Sequence, residues 1–135
     1  MARPASSRSL KVSLKVSDAF KAFALDQLSG LGDVVPRSMF GGVGLYLSGV
    51  FFGIIARDAL YLKVDGHNLP DYKQAGMKPF KPFSDRPTTM KYYHVPVEVL
   101  ESADELVSWA RKSVAAAGRS ALPKAKSPRR QPGSP

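Results

Sequence analysis

An α+β domain of two layers, with an antiparallel sheet of about five to six strands and helices mainly on one side, is the fold that this sequence predicts. Three observations carry the prediction. Val43 to Leu47, Val50 to Ala56 and Leu60 to Val64 are apolar runs of strand length, and in the last of them Leu60, Leu62 and Val64 share one face while Tyr61 and Lys63 share the other. The reversals between these runs, at Ser48-Gly49 and at Arg57-Asp58, are too short for a crossover, so neighbouring strands must run antiparallel. The resulting order is helix, three or four strands, short helix, two strands, helix. It differs from the alternating order of a parallel nucleotide-binding sheet.

The elements follow in turn from local chemistry. Ser17 can cap a first helix because its hydroxyl accepts a free backbone N–H, and Asp18 suits the positive end of the helix dipole. Phe20, Phe23, Ala24, Gln27 and Leu28 recur at helical spacing and form the face expected against the sheet, and Gly30 to Gly32 end the helix. Val34 to Met39 reads as extended chain, an edge strand at best, because Pro36 cannot donate to a ladder. Gly41 or Gly42 is expected at a positive φ, in a bulge or a tight strand entry. Past the meander, Asp65-Gly66 opens a turn, and Leu69 to Ala75 forms a short helix with Pro70 in its first turn and Gly76 as its stop. Pro79 to Phe83 and Met90 to Val95 are two further extended segments around the turn-rich Ser84-Asp85-Arg86-Pro87. Ser102-Ala103-Asp104-Glu105 is a capping box for the last helix. Leu106, Trp109, Ala110, Ser113, Val114 and Ala117 make its inner face, and Gly118 is expected to stop it.

Several of these stretches occur together in a known order: Met39-Phe40-Gly41-Gly42, Gly44-Leu45-Tyr46, Gly49-Val50-Phe51-Phe52, Leu60-Tyr61-Leu62-Lys63-Val64, Gly76 with Pro79-Phe80, Met90-Lys91-Tyr92-Tyr93-His94-Val95-Pro96, and Glu105-Leu106 with Trp109-Ala110. In this the chain resembles the N-terminal domain of the TfoX (Sxy) family of bacterial competence regulators. The resemblance implies that Met39, Phe40, Gly41, Gly42, Tyr61, Lys63, Tyr92, Tyr93 and Trp109 carry structure. It also implies a non-enzymatic regulatory module, bacterial and cytoplasmic, that acts through a protein partner or self-association and needs no cofactor. Regulators of the family carry a second, C-terminal domain, whereas the residues after Ala117 read as a Pro-rich basic tail.

Composition sets further bounds. At 135 residues and 44% hydrophobic content, the chain can bury one core without metal or disulfide support. Without cysteine it has no disulfide framework, thiolate metal site or cysteine nucleophile, which suits a reducing compartment. Residues 1–17 are basic, rich in serine and free of acids, the composition of a transit peptide, but the resemblance to a bacterial family points instead to an arm. Leu10 to Val16 alternates and never forms the apolar stretch of a secretory signal, and Val43 to Ala56 is too short and too broken to span a membrane.

The formal net charge is +9, and its placement is more telling than its size. From Ser17 to Ala117 eleven Lys and Arg balance eleven Asp and Glu, so all the excess lies in the flanks. The expected organisation is a basic arm over residues 1–16, a domain over 17–117 and a disordered basic tail over 118–135. Such flanks give weak, nonspecific attraction for DNA or RNA, and Arg119, Lys124, Lys126, Arg129 and Arg130 are the candidate contacts in the tail.

The remaining candidates for chemistry are few. Gly41-Gly42-Val43-Gly44 lacks the Lys-Ser or Lys-Thr pair and the following helix that a phosphate loop requires. His67 and His94 have no acid at metal-ligand spacing, and Ser38, Ser48 and Ser84 lack a nucleophile context, so neither a metal site nor a catalytic residue is assigned. Lys78-Pro79-Phe80-Lys81-Pro82-Phe83 and Lys91-Tyr92-Tyr93 interleave cations with aromatics, which makes Lys78, Lys81 and Lys91 nucleic-acid candidates; core packing of the same aromatics is the simpler account. A sheet with helices on one side leaves its other face in need of cover, and a homodimer on an exposed edge or on a face with Phe51, Ile55 and Tyr61 is expected. Two other readings stand beside the regulatory module. One is a nucleic-acid-binding protein in its own right. The other is a small-molecule-binding or enzymatic domain, which would need a closed pocket around Tyr46, Tyr61 and His94.

Overall fold

A computed structural model describes residues 15–81 and 91–121. Its order is α1 (Asp18–Gln27), β1 (Val34–Met39), β2 (Gly42–Leu47), β3 (Val50–Ala56), β4 (Ala59–Lys63), α2 (Leu69–Gln74), β5 (Tyr92–His94), α3 (Val97–Leu100) and α4 (Ala103–Ala121). The five strands form one antiparallel sheet in sequence order. The α+β class and the antiparallel sheet are therefore as the sequence predicts.

Three two-residue hairpins build most of the sheet, and each takes positive φ at both central residues: Phe40-Gly41, Ser48-Gly49 and Arg57-Asp58. This is the primed turn geometry, whose twist matches that of the flanking strands. The first of the three was not visible in the sequence, since its leading residue is a phenylalanine rather than Asn, Asp or Gly. Of the two glycines there, Gly41 takes the positive φ of 85°, while Gly42 pairs with Met39 as the first residue of β2. Val34 to Met39 is thus a full edge strand. Pairs in this hairpin alternate between hydrogen-bonded and open outward from Met39 and Gly42, so Pro36 opposite Leu45 falls on an open pair and costs the ladder no bond.

A bulge in β3 decides which side chains meet which layer. Leu45 pairs with Gly53 while Tyr46 pairs with Phe51, so Phe52 is an extra residue. Alternation resets there. Phe52 and Ile55 both enter the core beneath the helices, and Phe51 and Ile54 point the other way. The expectation that Ile55 belongs to an exposed face with Phe51 and Tyr61 is corrected by this reset: Ile55 is fully buried in the main core.

That core joins Val43, Leu45, Phe52, Ile55, Leu60, Leu62 and Val64 from the sheet to residues of every helix, among them Ala24, Tyr72, Val99, Leu106 and Ala110. The buried face of α4 is made of Leu106, Ala110, Ser113, Ala116 and Ala117, and such small residues let the helix lie close to the strands. Trp109 flanks it, meeting Tyr72 edge-on at 4.7 Å.

The caps follow the local chemistry. Ser17 Oγ accepts from the Phe20 N–H at 3.1 Å, and the Ser17 N–H donates to Asp58 Oδ1 at 2.7 Å, tying α1 to a hairpin tip. α2 ends in a Schellman motif, in which the Met77 N–H reaches the Tyr72 carbonyl, the Gly76 N–H reaches the Lys73 carbonyl and Gly76 sits at φ 74°. Only half of the expected capping box forms. Ser102 Oγ accepts from the Glu105 N–H at 3.4 Å, but the Ser102 N–H closes the turn of α3 on the Val99 carbonyl.

Gly118 does not stop the last helix, which runs on to Ala121 with open space where a side chain at Gly118 would project. The helix end expected at Gly118 is therefore corrected, and α4 extends past Ala117 into the segment read as tail. Residues 1–14, most of the predicted tail and the Ser84-Asp85-Arg86-Pro87 loop lie outside the described residues. Among the described residues no helix is long and apolar enough to cross a membrane.

Candidate functional site: the helix-free face of the sheet

The register assigns each strand residue to one of two faces. Opposite the helices lie Val35, Arg37 and Met39 of β1, Gly44 and Tyr46 of β2, and Phe51, Ile54 and Ala56 of β3. β4 adds Tyr61 and Lys63, and β5 adds Tyr92 and His94. Pro79 bridges Tyr93 antiparallel on the far side of β5, the His94 N–H reaches the Lys78 carbonyl and the Phe80 N–H reaches the Tyr92 carbonyl. Lys78 and Phe80 therefore fall on this same face.

Aromatic rings cross it from strand to strand. Tyr46 stacks on Phe51 with centroids 5.0 Å apart, Phe51 meets Tyr92 at 5.4 Å, and Tyr61 meets Phe80 at 4.7 Å and His94 at 5.3 Å. The rings close over Ile54 and Ala56, which with Phe80 and Tyr92 make a second buried cluster containing no helical residue. Gly44 gives the layer room: a Cβ there would lie 2.8 Å from Met39 Sδ and 3.2 Å from the Phe51 ring.

The charged side chains at the described strand positions of this face are basic. The Arg37 guanidinium lies 5.5 Å from the Tyr46 ring centroid and Lys63 Nζ 5.3 Å from that of Tyr92. Lys78 supplies a third cation by register, and none of the strand positions on this face holds an Asp or Glu. Burial pushes the Tyr92 hydroxyl up to about 12, with the nearby Tyr46 adding to the effect, and burial lowers the pKa of His94. In both cases burial favours the uncharged form of the side chain.

The other predicted contacts are dispersed. Arg119 belongs to α4 and not to a tail, and its Nε and a terminal guanidinium nitrogen hold Asp65 at 2.7 and 3.1 Å. The guanidinium is thus engaged in a bidentate ion pair within the folded domain. Lys81 is exposed beyond Phe80, and Lys91 lines a groove of about 240 Å³ at the end of the sheet, shared with Lys63 and with Asp65, Arg119 and Ser120. Lys124, Lys126, Arg129 and Arg130 lie outside the described residues. Of the motif residues, Tyr61, Lys63 and Tyr92 share the helix-free face, Tyr93 turns to the main core, and Met39 to Gly42 form the first hairpin.

The closed pocket required for a small-molecule site at Tyr46, Tyr61 and His94 is not assembled from these residues. Tyr61 and His94 stack on each other, while Tyr46 borders an open groove with Val35, Arg37 and Gly49. Among the described residues no three His, Cys, Asp or Glu gather at metal-binding distance. Arg37 was missed as a member of the face because its strand read only as extended chain; the signal was the alternation of Val35, Arg37 and Met39.

No curated protein matches the chain. The family model of the TfoX N-terminal domain matches residues 26–117, a span that takes in all five strands and most of α4, and the chain belongs to that family.

Proposed function

We propose that the chain is a non-enzymatic regulatory module that works by binding a macromolecule on the helix-free face of its sheet, with the basic flanks adding weak attraction for nucleic acid. The observation that carries this reading is the aromatic layer itself. Tyr46, Phe51, Tyr61 and His94 are only half-buried, and cations lie over the Tyr46 and Tyr92 rings. Monomeric proteins keep continuous apolar surfaces small unless these are used for binding. Membership of the TfoX N-terminal family supports the regulatory half of the proposal.

A complementation experiment tests it. Transcripts are compared in a strain lacking the chain, in one restored with the natural chain, and in one restored with Tyr46→Leu/Tyr61→Leu. The expected outcome is that the natural chain restores the transcript profile and the variant, at equal abundance, does not. Full restoration by the variant would remove the face as the working surface.

A further inference from the structure

We infer that the helix-free face binds single-stranded nucleic acid, with unpaired bases stacking on Tyr46, Phe51 and Tyr61 and the phosphates meeting Arg37, Lys63 and Lys78. This rests on the proposed role of the face and adds the class of its ligand.

Charge selects among the occupants of such a surface. In a two-fold dimer the same patch meets itself, so Arg37 and Lys78 would be set against a copy whose described strand positions on this face offer no carboxylate in return. Addition of a second copy along β1 meets a different obstacle. Pro36 occupies one of the outward-directed positions and has no N–H to give an incoming strand. A polyanion fits the charge, and among polyanions the rings discriminate.

A duplex keeps its bases stacked on each other and presents phosphates first, so Tyr46, Phe51 and Tyr61 would add little to its binding. A single strand exposes the π-face of every base, and stacking on aromatic side chains serves all four bases alike. The spacing of the rings matches that use. They run across three strands, with Tyr46 beside Phe51 at 5.0 Å and Tyr61 beside Phe80 at 4.7 Å, and a cation accompanies the row at each side. Beside Tyr46 an open groove of about 210 Å³, bordered by Val35, Arg37 and Gly49, is large enough for one nucleobase.

The test uses the full chain, labelled dT12 and a labelled 12-base-pair duplex, read by fluorescence anisotropy at physiological salt. The duplex reports the basic flanks, which respond to phosphate in either form. The expected result is tighter binding of dT12 than of the duplex. Tyr46→Leu/Tyr61→Leu, which keeps apolar volume under the layer, should weaken dT12 binding at least tenfold and leave duplex binding unchanged. Should that variant melt early, Arg37→Gln/Lys78→Gln changes only exposed side chains and should weaken dT12 at least fivefold. Equal affinity of the natural chain for dT12 and duplex, or undiminished dT12 binding by a variant that melts as the natural chain does, would overturn the inference. If the face proves necessary for transcript restoration while dT12 fails to bind it, the regulatory reading survives, the inference falls, and an acidic protein becomes the occupant.

Discussion

The Ser113 hydroxyl, in the middle of α4, donates a 2.8 Å hydrogen bond to the carbonyl of Lys63, the last residue of β4. The Asn68 side-chain amide reaches the same oxygen at 3.0 Å, and its own carbonyl receives the Asp65 N–H at 2.8 Å. One backbone oxygen thus joins a strand end, the turn before α2 and the longest helix, and both polar side chains are buried. Ser113→Ala should cost about 1 kcal/mol, since the carbonyl keeps its second donor. Asn68→Ala removes two bonds and leaves the part-buried Asp65 N–H without its acceptor, so about 2 to 3 kcal/mol is expected. Urea melts of both variants check the order. Equal losses would mean that the node is not cooperative with the turn.

Phe40 occupies the first central position of its hairpin at φ 51° and is 87% exposed. A bulky residue is strained in that region, and no burial compensates for it. Phe40→Asn should therefore stabilise the domain by about 0.5 to 1 kcal/mol, an unusual sign for a substitution inside a family motif. Gly41→Val, at φ 85°, should destabilise it by about 1 to 3 kcal/mol. Thermal melts compare both with the natural chain, and a destabilised Phe40→Asn would show that the ring contributes to the fold after all.

Asp65 is held down to about 2, chiefly by its hydrogen bond from Arg119, with the His67 N–H assisting and burial opposing. A carboxyl with a folded pKa below its ordinary 3.8 stabilises the folded chain above pH 3.8, and that contribution is lost as pH falls toward 2. Arg119→Ala should lower the melting temperature modestly at pH 7 and make its decline between pH 4 and 2 shallower. The effect should shrink in high salt, because the pair is solvent-exposed. An identical pH profile in the variant would show that the pair contributes nothing.

Removal of residues 1–14 and 122–135 keeps the whole of α4, including Arg119, while discarding seven cations. Duplex DNA binding should fall with that truncation. If only the four cations after Ala121 engage, the slope of log affinity against log salt in the full chain should be about −3 to −4. Retained duplex affinity with an unchanged slope would place that binding on the folded domain.

Much of this fold was legible because its signals are local. Ser17, the two-residue links Ser48-Gly49 and Arg57-Asp58, and Gly76 each act within a few residues, and each does what its chemistry suggests. The errors arose where distant contacts decide. Gly118 has no stop function because the helix continues to a partner, Asp65, that lies more than fifty residues away in sequence. Phe52 looks like an ordinary member of an alternating strand, and only its pairing against Leu45 and Tyr46 shows it to be the extra residue that sends Ile55 inward. The face could not be assembled from sequence for the same reason. Its members were visible one by one, but a one-residue slip in β3 exchanges the two sides of the sheet.

The three successive hairpins also bear on how the chain folds. Each pairs residues close in sequence, so loop closure costs little and β1 to β4 can zip together as one meander, whereas α1 and α4 must be brought from opposite ends of the chain. Early sheet formation followed by helix docking is the resulting order, with Leu106 and Ser113 among the late contacts. Substitutions in the hairpins should then change chiefly the refolding rate, and those on the buried side of α4 chiefly the unfolding rate.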